Sequence, residues 1–349
     1  MNDKQQEPEE RLSDEESTTP EKQEEVIPEI ERLTREELKK KISACANPFE
    51  IIDACADSLG QVLHQIEGHD DAEGIIIEIC NAIIHACESN TDATLGAVHI
   101  SHKNPYSCLH PIYTAVLSYV ICQMLKMSAD EIKNILAAAL TSNLAMFDLQ
   151  EKLQQQVTPL SQSQKELIDK HPTESVNILK RSGINNQAWL DMVQQHHERA
   201  NGKGYPAGLK DEQILVGAKI LGLADVYSAM ISPRTYRESM EASDALKSVF
   251  LERGKECDET LAILLIKRMG VFPPGCYVNL SSGEVAIVVQ RTKNPMKPKV
   301  VTLLNPAGRA YVCPVCLNTD SPEHNIIGTA KRLEPDEVKV KLHRIWGYE

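Results

Sequence analysis

The stretch "CLHPIYTAVLSYVICQMLKM", residues 108–127, constrains the fold most, because it has no Asp, Glu, Lys or Arg from Cys108 to Leu125. A helix without a polar face has to be buried on several sides, so other helices must surround it. "ADEIKNILAAALTSNLAMF", residues 129–147, has the same mostly apolar character. Companions follow at helical period in "SQSQKELIDKHPTESVNILKRSG", "NQAWLDMVQQHHE", "VGAKILGLADVYSAMIS" and "SDALKSVFLERG". The third of these six segments closes on a glycine that suits a helix C-cap. There is no βαβ alternation and no internal repeat, so residues 93–271 are expected to form a helical bundle in a mainly α protein.

Flanking segments differ. Residues 1–28 are rich in Glu, Gln, Ser and Pro with few apolar anchors; such a stretch cannot bury enough surface to offset chain entropy and reads as a disordered acidic tail. Residues 29–92 hold three further helical patterns, the second opening with Pro48 at a plausible first-turn position. After "MGVFPPG" the period changes to that of strands: "CYVNLSSGEVAIVVQRT" and "KPKVVTLLNPAGRAYVC" each look like two β-rich runs joined by a turn. A small β-rich C-terminal module, 272–349, is expected.

Bulk properties narrow the function. A net charge of −13 over 349 residues argues against broad nucleic-acid or anionic-membrane binding. The chain starts without the apolar core of a signal peptide, and no run is expected to reach the ~20 apolar residues of a membrane helix. A reducing cytoplasm follows, with the ten cysteines as free thiols. Only Cys313 and Cys316 have ligand spacing, and with His324 they fall short of four zinc ligands.

Chemistry concentrates in the bundle. His110 sits in the apolar helix, His171 precedes a proline at an expected helix start, and His196 and His197 end a helix just before "ANGKGYPAGLK". Asp225 is a carboxylate in an otherwise apolar stretch, where it needs a cation, hydrogen-bond donors or a metal. Any one of these histidines alone is more often a satisfied core residue than a ligand. The adjacent pair raises the odds, since two desolvated imidazoles need acceptors or a metal. "NGKGYP", Asn201 to Pro206, is by itself no more than a turn, because Asn-Gly and Tyr-Pro favour turns for backbone reasons.

Together these segments resemble the HD-GYP family, the bacterial cyclic di-GMP phosphodiesterases of the HD hydrolase superfamily. "HHERANGKGYPAGL" resembles the family's hallmark, "NPYSCLHPIYTAVL" its first histidine segment and "IDKHPTESVNIL" the next. "LADVYSAMISPRTYRESM" is similar to the segment with the last metal-binding aspartate and the arginines that face substrate phosphate. The resemblance implies His110, His171, His196, His197 and Asp225 as metal ligands, Arg234 and Arg237 as phosphate-binding groups, and Asn201, Gly202, Lys203, Gly204, Tyr205 and Pro206 as the hallmark loop. It also implies departures. Ser142 stands at the position of the namesake histidine, Asn143 at that of the aspartate, and Met146 where a substrate-contacting lysine is expected. Asn201 and Ser228 replace acidic residues, and Tyr106 is not the glutamate of members with a third metal.

The family holds two divalent ions, iron or manganese. Two dications about 3.7 Å apart repel by roughly 18 kcal/mol at an effective dielectric of 20, and bridging anions must offset that. Asn143 offers a carbonyl without charge, and Ser142 is too short and weakly basic to replace an imidazole. The expectation is a degenerate member with either one divalent ion (Fe, Mn or Zn) on His171, His196 and His197, or none, and with His110 and Asp225 left as a poor site or a hydrogen-bonded pair. It would act in cyclic di-GMP signalling by binding the nucleotide, a signalling protein such as a diguanylate cyclase domain, or both, with or without oligomerising. The alternatives are residual one-metal phosphodiesterase activity and a ligand-free scaffold.

Overall fold

The computed structural model describes residues 32–101, 103–232, 239–333, 337–338 and 340–348. The expected tail 1–28 and the two arginines Arg234 and Arg237 lie outside the described residues. Helix starts follow local side-chain chemistry. α1 (Arg35–Ser43) opens on a reciprocal cap between Thr34 and Glu37, and α2 (Pro48–His64) has the expected proline in its first turn, with the Asn47 side chain accepting from the Glu50 amide. α3 (Ala72–Ile100) runs past the expected end near residue 92. Its backbone leaves the helix at Asn90 (φ −160°, ψ 91°), and the Asn90 side chain then accepts from the Ala93 amide at 3.0 Å, which restarts the helix at once.

α4 (Tyr106–Leu125) is buried from Ser107 to Cys122 and packs on α2, α3, α5, α9 and α11. It is long and apolar enough to cross a membrane, against the expectation that no segment is. Yet 83% of its most apolar window is buried inside the protein, so its lack of charge has a sufficient cause in its central position. Around it stand α5 (Ala129–Thr141), α6 (Phe147–Gln155), α7 (Gln162–Arg181), α8 (Gln187–Gln195), α9 (Val216–Ile231), α10 (Ala242–Glu252) and α11 (Glu259–Met269).

One expected element boundary is corrected. His171 and Pro172 do not start a helix but lie in the middle of α7. Proline has no N–H for the carbonyl four residues back, which is Ile168 O, and the His171 ring donates to that oxygen instead. The helix therefore continues through the proline.

The C-terminal sheet is antiparallel, with strands β1 (Tyr277–Leu280), β2 (Val285–Gln290), β3 (Lys299–Leu304), β4 (Cys316–Asn318) and β5 (Ile326–Thr329) in the order β4-β3-β2-β1-β5. The first expected hairpin forms across residues 281–284. The second does not continue directly after "NPAG". Past the turn the pairing is short: one bridge, Leu304 to Ala310, with the bonds from Asn305 N to Arg309 O (2.9 Å) and from Tyr311 N to Leu303 O (2.8 Å). Pro314, which cannot donate to a ladder, lies before the chain rejoins β3 as β4. Cys313 and Cys316 are exposed, and among the described residues they form no metal-binding group with His324.

Arg32–Glu349 make one compact unit. Ile287, Val289, Val301 and Leu303 of the sheet belong to the same apolar core as the bundle, while Cys276, Val278, Leu280, Ala286, Val288 and Val300 form a second small cluster. The short helix α12 (Leu342–Ile345) is followed by Trp346, whose indole N–H donates to Val289 O at 2.9 Å and whose ring meets Phe49 of α2. The expected boundary at 92/93 falls just after the Asn90 break inside α3.

Candidate metal and nucleotide site

Four elements carry the predicted ligands: α4 with His110, α7 with His171, the end of α8 with His196 and His197, and α9 with Asp225. His110, His197 and Asp225 line one cavity, while His171 and His196 are buried against His197. The nitrogen donors of His171, His196 and His197 lie within 4.8 Å of one another. Hydrogen bonds set their tautomers. A carbonyl oxygen only accepts, so the Nδ1 of His171 facing Ile168 O and the Nδ1 of His196 facing Val193 O (2.7 Å) must each carry the hydrogen. In the neutral rings both Nε2 atoms are then bare lone pairs, and they face each other at 3.2 Å.

Two acceptors in such contact repel unless a cation or proton lies between them. Two nitrogens each ~2.1 Å from one ion sit roughly 3.0–3.4 Å apart in octahedral or tetrahedral geometry, so the donor set suits one metal. Backbone carbonyls holding the far ring nitrogen are also what orients metal-binding imidazoles. Burial first, and then the charge of His197, pushes His171 down to about 4; burial and His171 push His196 to about 4; burial and His196 push His197 to about 3. All three are neutral near pH 7, the form a metal requires.

His110 and Asp225 are engaged differently. His110 Nε2 meets Asp225 Oδ1 at 2.8 Å, and its Nδ1 meets the Ser228 hydroxyl at 2.8 Å. Ser228 is further tied to Thr114 Oγ1 (2.9 Å), which donates to His110 O. Burial is the largest influence on Asp225 and would raise its pKa, but the charge and hydrogen bond of His110, then His197 and His196, outweigh it and hold the carboxyl well below the usual carboxylate range. Both nitrogens of His110 thus already have partners.

The cavity has a volume of about 260 Å³ and is lined by His110, His197, Asp225, Asn143, Met146, Gln150, Tyr106 and Tyr205, among others. Asp225 is the sole carboxylate among these described lining residues. Asn143 faces the cavity, whereas Ser142 is wholly buried, does not line it and donates back to Ala139 O. Asp148, a conceivable substitute acid, is exposed and lies 3.9 Å from His64 instead.

The loop of residues 201–206 packs directly behind His197. Its Tyr205 stacks on the imidazole (4.7 Å between centroids, 29° between planes), and the Tyr205 amide donates to His197 O. The Asn201 side chain accepts from the Lys203 amide at 2.9 Å, a side-chain turn that makes Asn201 structural here. Sequence reasoning missed Glu198. Its carboxylate accepts from the amides of Ala207 (2.7 Å), Gly208 (3.1 Å) and Leu209 (2.8 Å) and so pins the loop to the histidine helix. A Cβ on Gly204 would lie 2.4 Å from Arg199 N and 2.5 Å from His197 O, both backbone atoms. Gly204→Ala is therefore expected to displace His197 and lower metal affinity by about ten-fold or more, while costing roughly 1–3 kcal/mol of stability. Metal titration alongside thermal unfolding checks this; unchanged affinity would show that the loop does not set the His197 position.

Known proteins resemble this chain chiefly over its helical bundle. A family model described as an HD domain matches residues 94–261. The chain is 24% identical over 230 residues to a cyclic di-GMP phosphodiesterase of Pseudomonas aeruginosa, covering 66% of this chain and 54% of that protein. It is 24% identical over 196 residues to a cyclic di-GMP phosphodiesterase of Borreliella burgdorferi (56% and 52%), and 25% identical over 154 residues to a 3'3'-cGAMP-specific phosphodiesterase of Vibrio cholerae (44% and 36%). The chain thus spans about half the length, or less, of these curated relatives. A solved structure of an HDG"Y"P protein of Bdellovibrio bacteriovorus superposes with a TM-score of 0.54 at 19% identity, over 66% of this chain and 77% of that one, a likeness of fold.

Proposed function

We propose that this chain, whose residues 94–261 match a family model described as an HD domain, acts in cyclic di-GMP signalling as a binding regulator whose phosphodiesterase activity is impaired or lost. The observation that carries the reading is the pair of facing Nε2 atoms, 3.2 Å apart, beside a cavity with a single carboxylate among its described lining residues. His171, His196 and His197 would hold one divalent ion, which supplies Lewis acidity toward a phosphate oxygen when bound. Asp225 is already committed to His110, and Asn143 brings no charge, so no free carboxylate among the described lining residues offsets a second dication. Met146 adds an apolar contact where the resemblance calls for a lysine. Arg234 and Arg237 remain the proposed phosphate contacts, since guanidinium groups grip phosphate without a metal. The exposed edge of the loop, Asn201, Lys203 and Pro206, is the proposed contact for a diguanylate cyclase domain or similar signalling partner.

The test is metal analysis of protein purified anaerobically without added metal, followed by turnover with manganese or ferrous iron. One equivalent or less per chain, micromolar heat of binding with cyclic di-GMP and negligible linear product are expected. Two equivalents with brisk hydrolysis abolished by His197→Ala would overturn the reading in favour of an enzyme. Absence of any binding heat would leave the scaffold alone.

A further inference from the structure

A second cavity, of about 710 Å³, shares no lining residue with the first and lies where the end of α11, Met124 of α4, Asp92 of α3 and the β2–β3 loop meet. On a chain of net charge −13 its wall is cationic: Lys267, Arg268, Arg291 and Lys293 face it against the one carboxylate of Asp92. That carboxylate is already taken. The Arg291 guanidinium pairs with Asp92 through Nε, its amide also faces Asp92, and its Nη1 donates to Arg268 O at 2.7 Å. Arg291 is therefore a built-in strut joining α3, α11 and the loop. The loop is itself anchored by the bond from Val271 N to Pro295 O (3.2 Å) and by Thr292, whose hydroxyl reaches the carbonyls of Asn294 and Lys297.

Arg268 makes no ion pair among the described contacts, and Asp92 attracts it only at longer range. Its Nε is buried with no hydrogen-bond partner, a costly state for a group that always carries a proton. Burial, and then the charge of Arg291, push this guanidinium's pKa down, against the opposing attraction of Asp92. Lys267 and Lys293 are exposed on the rim and add attraction without being committed to an ion pair among the described contacts. Met124 and Phe272 add apolar surface to the lining.

We propose that this cavity is a binding site for a phosphate- or diphosphate-bearing small molecule, whose anionic group is held by Arg268 with Lys267 and Lys293 and whose uncharged portion lies on Met124 and Phe272. The inference does not depend on the histidine site. Calorimetry on the full chain in EDTA, with pyrophosphate and then ADP as probes, tests it. Pyrophosphate is expected to bind, with affinity falling by about ten-fold or more in Arg268→Gln and in the double variant Lys267→Gln/Lys293→Gln, and falling as salt rises. ADP is expected to bind at least as tightly. The variant His197→Ala/Arg234→Ala, which removes any contribution of the bundle cavity, should still bind both probes, and that remaining binding should be the part lost in the charge variants of this site. Since Lys267 and Lys293 are exposed, the double variant decides the matter if Arg268→Gln fails to fold. No binding at about 5 mM probe, equal affinity in the charge variants, or loss in His197→Ala/Arg234→Ala would each overturn the proposal.

Discussion

His196→Ala is expected to lose its divalent ion, with affinity down by about 100-fold or more, whereas His110→Gln should hold the ion within about three-fold. The contrast follows from where the lone pairs point. The His196 Nε2 is freed by the bond from its Nδ1 to Val193 O and directed at the Nε2 of His171. Removing it leaves two nitrogens where three were poised, and the buried His171 cannot swing away from Ile168 O without losing that bond. His110, in contrast, spends one nitrogen on Asp225 and the other on Ser228. Glutamine there keeps a neutral donor near the carboxylate, so the expected cost falls on stability, on the order of 1–3 kcal/mol. Anaerobic metal titration of both variants gives the answer. Equal loss of metal in the two would mean that His110 and Asp225 are ligands and that the five groups act as one site. A companion variant, Asn143→Asp, restores an anion at the cavity and is expected to strengthen metal binding, since the only carboxylate among the described lining residues is otherwise Asp225.

The bundle and the site were legible to different depths. An uncharged α4 announces its own burial, and the mainly α class follows from it. The helix α11 escaped notice although its signals are present: the Asp258 side chain caps the Leu261 amide, and Leu261, Ala262, Leu265 and Met269 form one buried face. A reading that watches for the loss of helical period before "FPPG" passes over it. A proline usually ends or begins a helix, so the sequence points to a helix start at His171, and the three-dimensional bond from its ring to Ile168 O explains the continuity. The residue types at 142 and 143 are plain in the sequence, but that Ser142 turns into its own helix while Asn143 faces the cavity is a matter of register. Glu198 left a readable clue that went unused. Turn amides such as those of residues 207–209 need acceptors, and an acid lies just upstream.

Between pH 6.5 and 4 the protein is expected to lose about 3 kcal/mol of stability through His99 alone. His99 sits in α3 where the bundle meets the start of the sheet. Its Nδ1 faces two carbonyl oxygens, Leu95 O and Pro274 O, each at 2.8 Å, so that nitrogen carries the hydrogen, and its Nε2 meets the Tyr227 hydroxyl at 3.0 Å. Burial lowers its pKa to about 4, and the nearby Arg332 cation adds to the effect, while the two carbonyls act in the opposite sense. With the folded value below the unfolded one, the unfolded chain binds more protons in this range. The stabilisation is therefore complete above about 6.5, falls as the pH drops through the interval, and changes no further below about 4. The shift of some 2.5 units corresponds to about 3 kcal/mol at ~1.4 kcal/mol per unit, as an upper figure for a ring with some solvent contact. His99→Gln keeps a neutral donor toward Pro274 but cannot take up the proton. Urea unfolding of both proteins in EDTA at several pH values isolates this residue, because the other histidines cancel in the difference. The variant is expected to be less stable at pH 7 and to close the gap by pH 4. Two parallel curves would show that the His99 proton has no part in holding the sheet to the bundle.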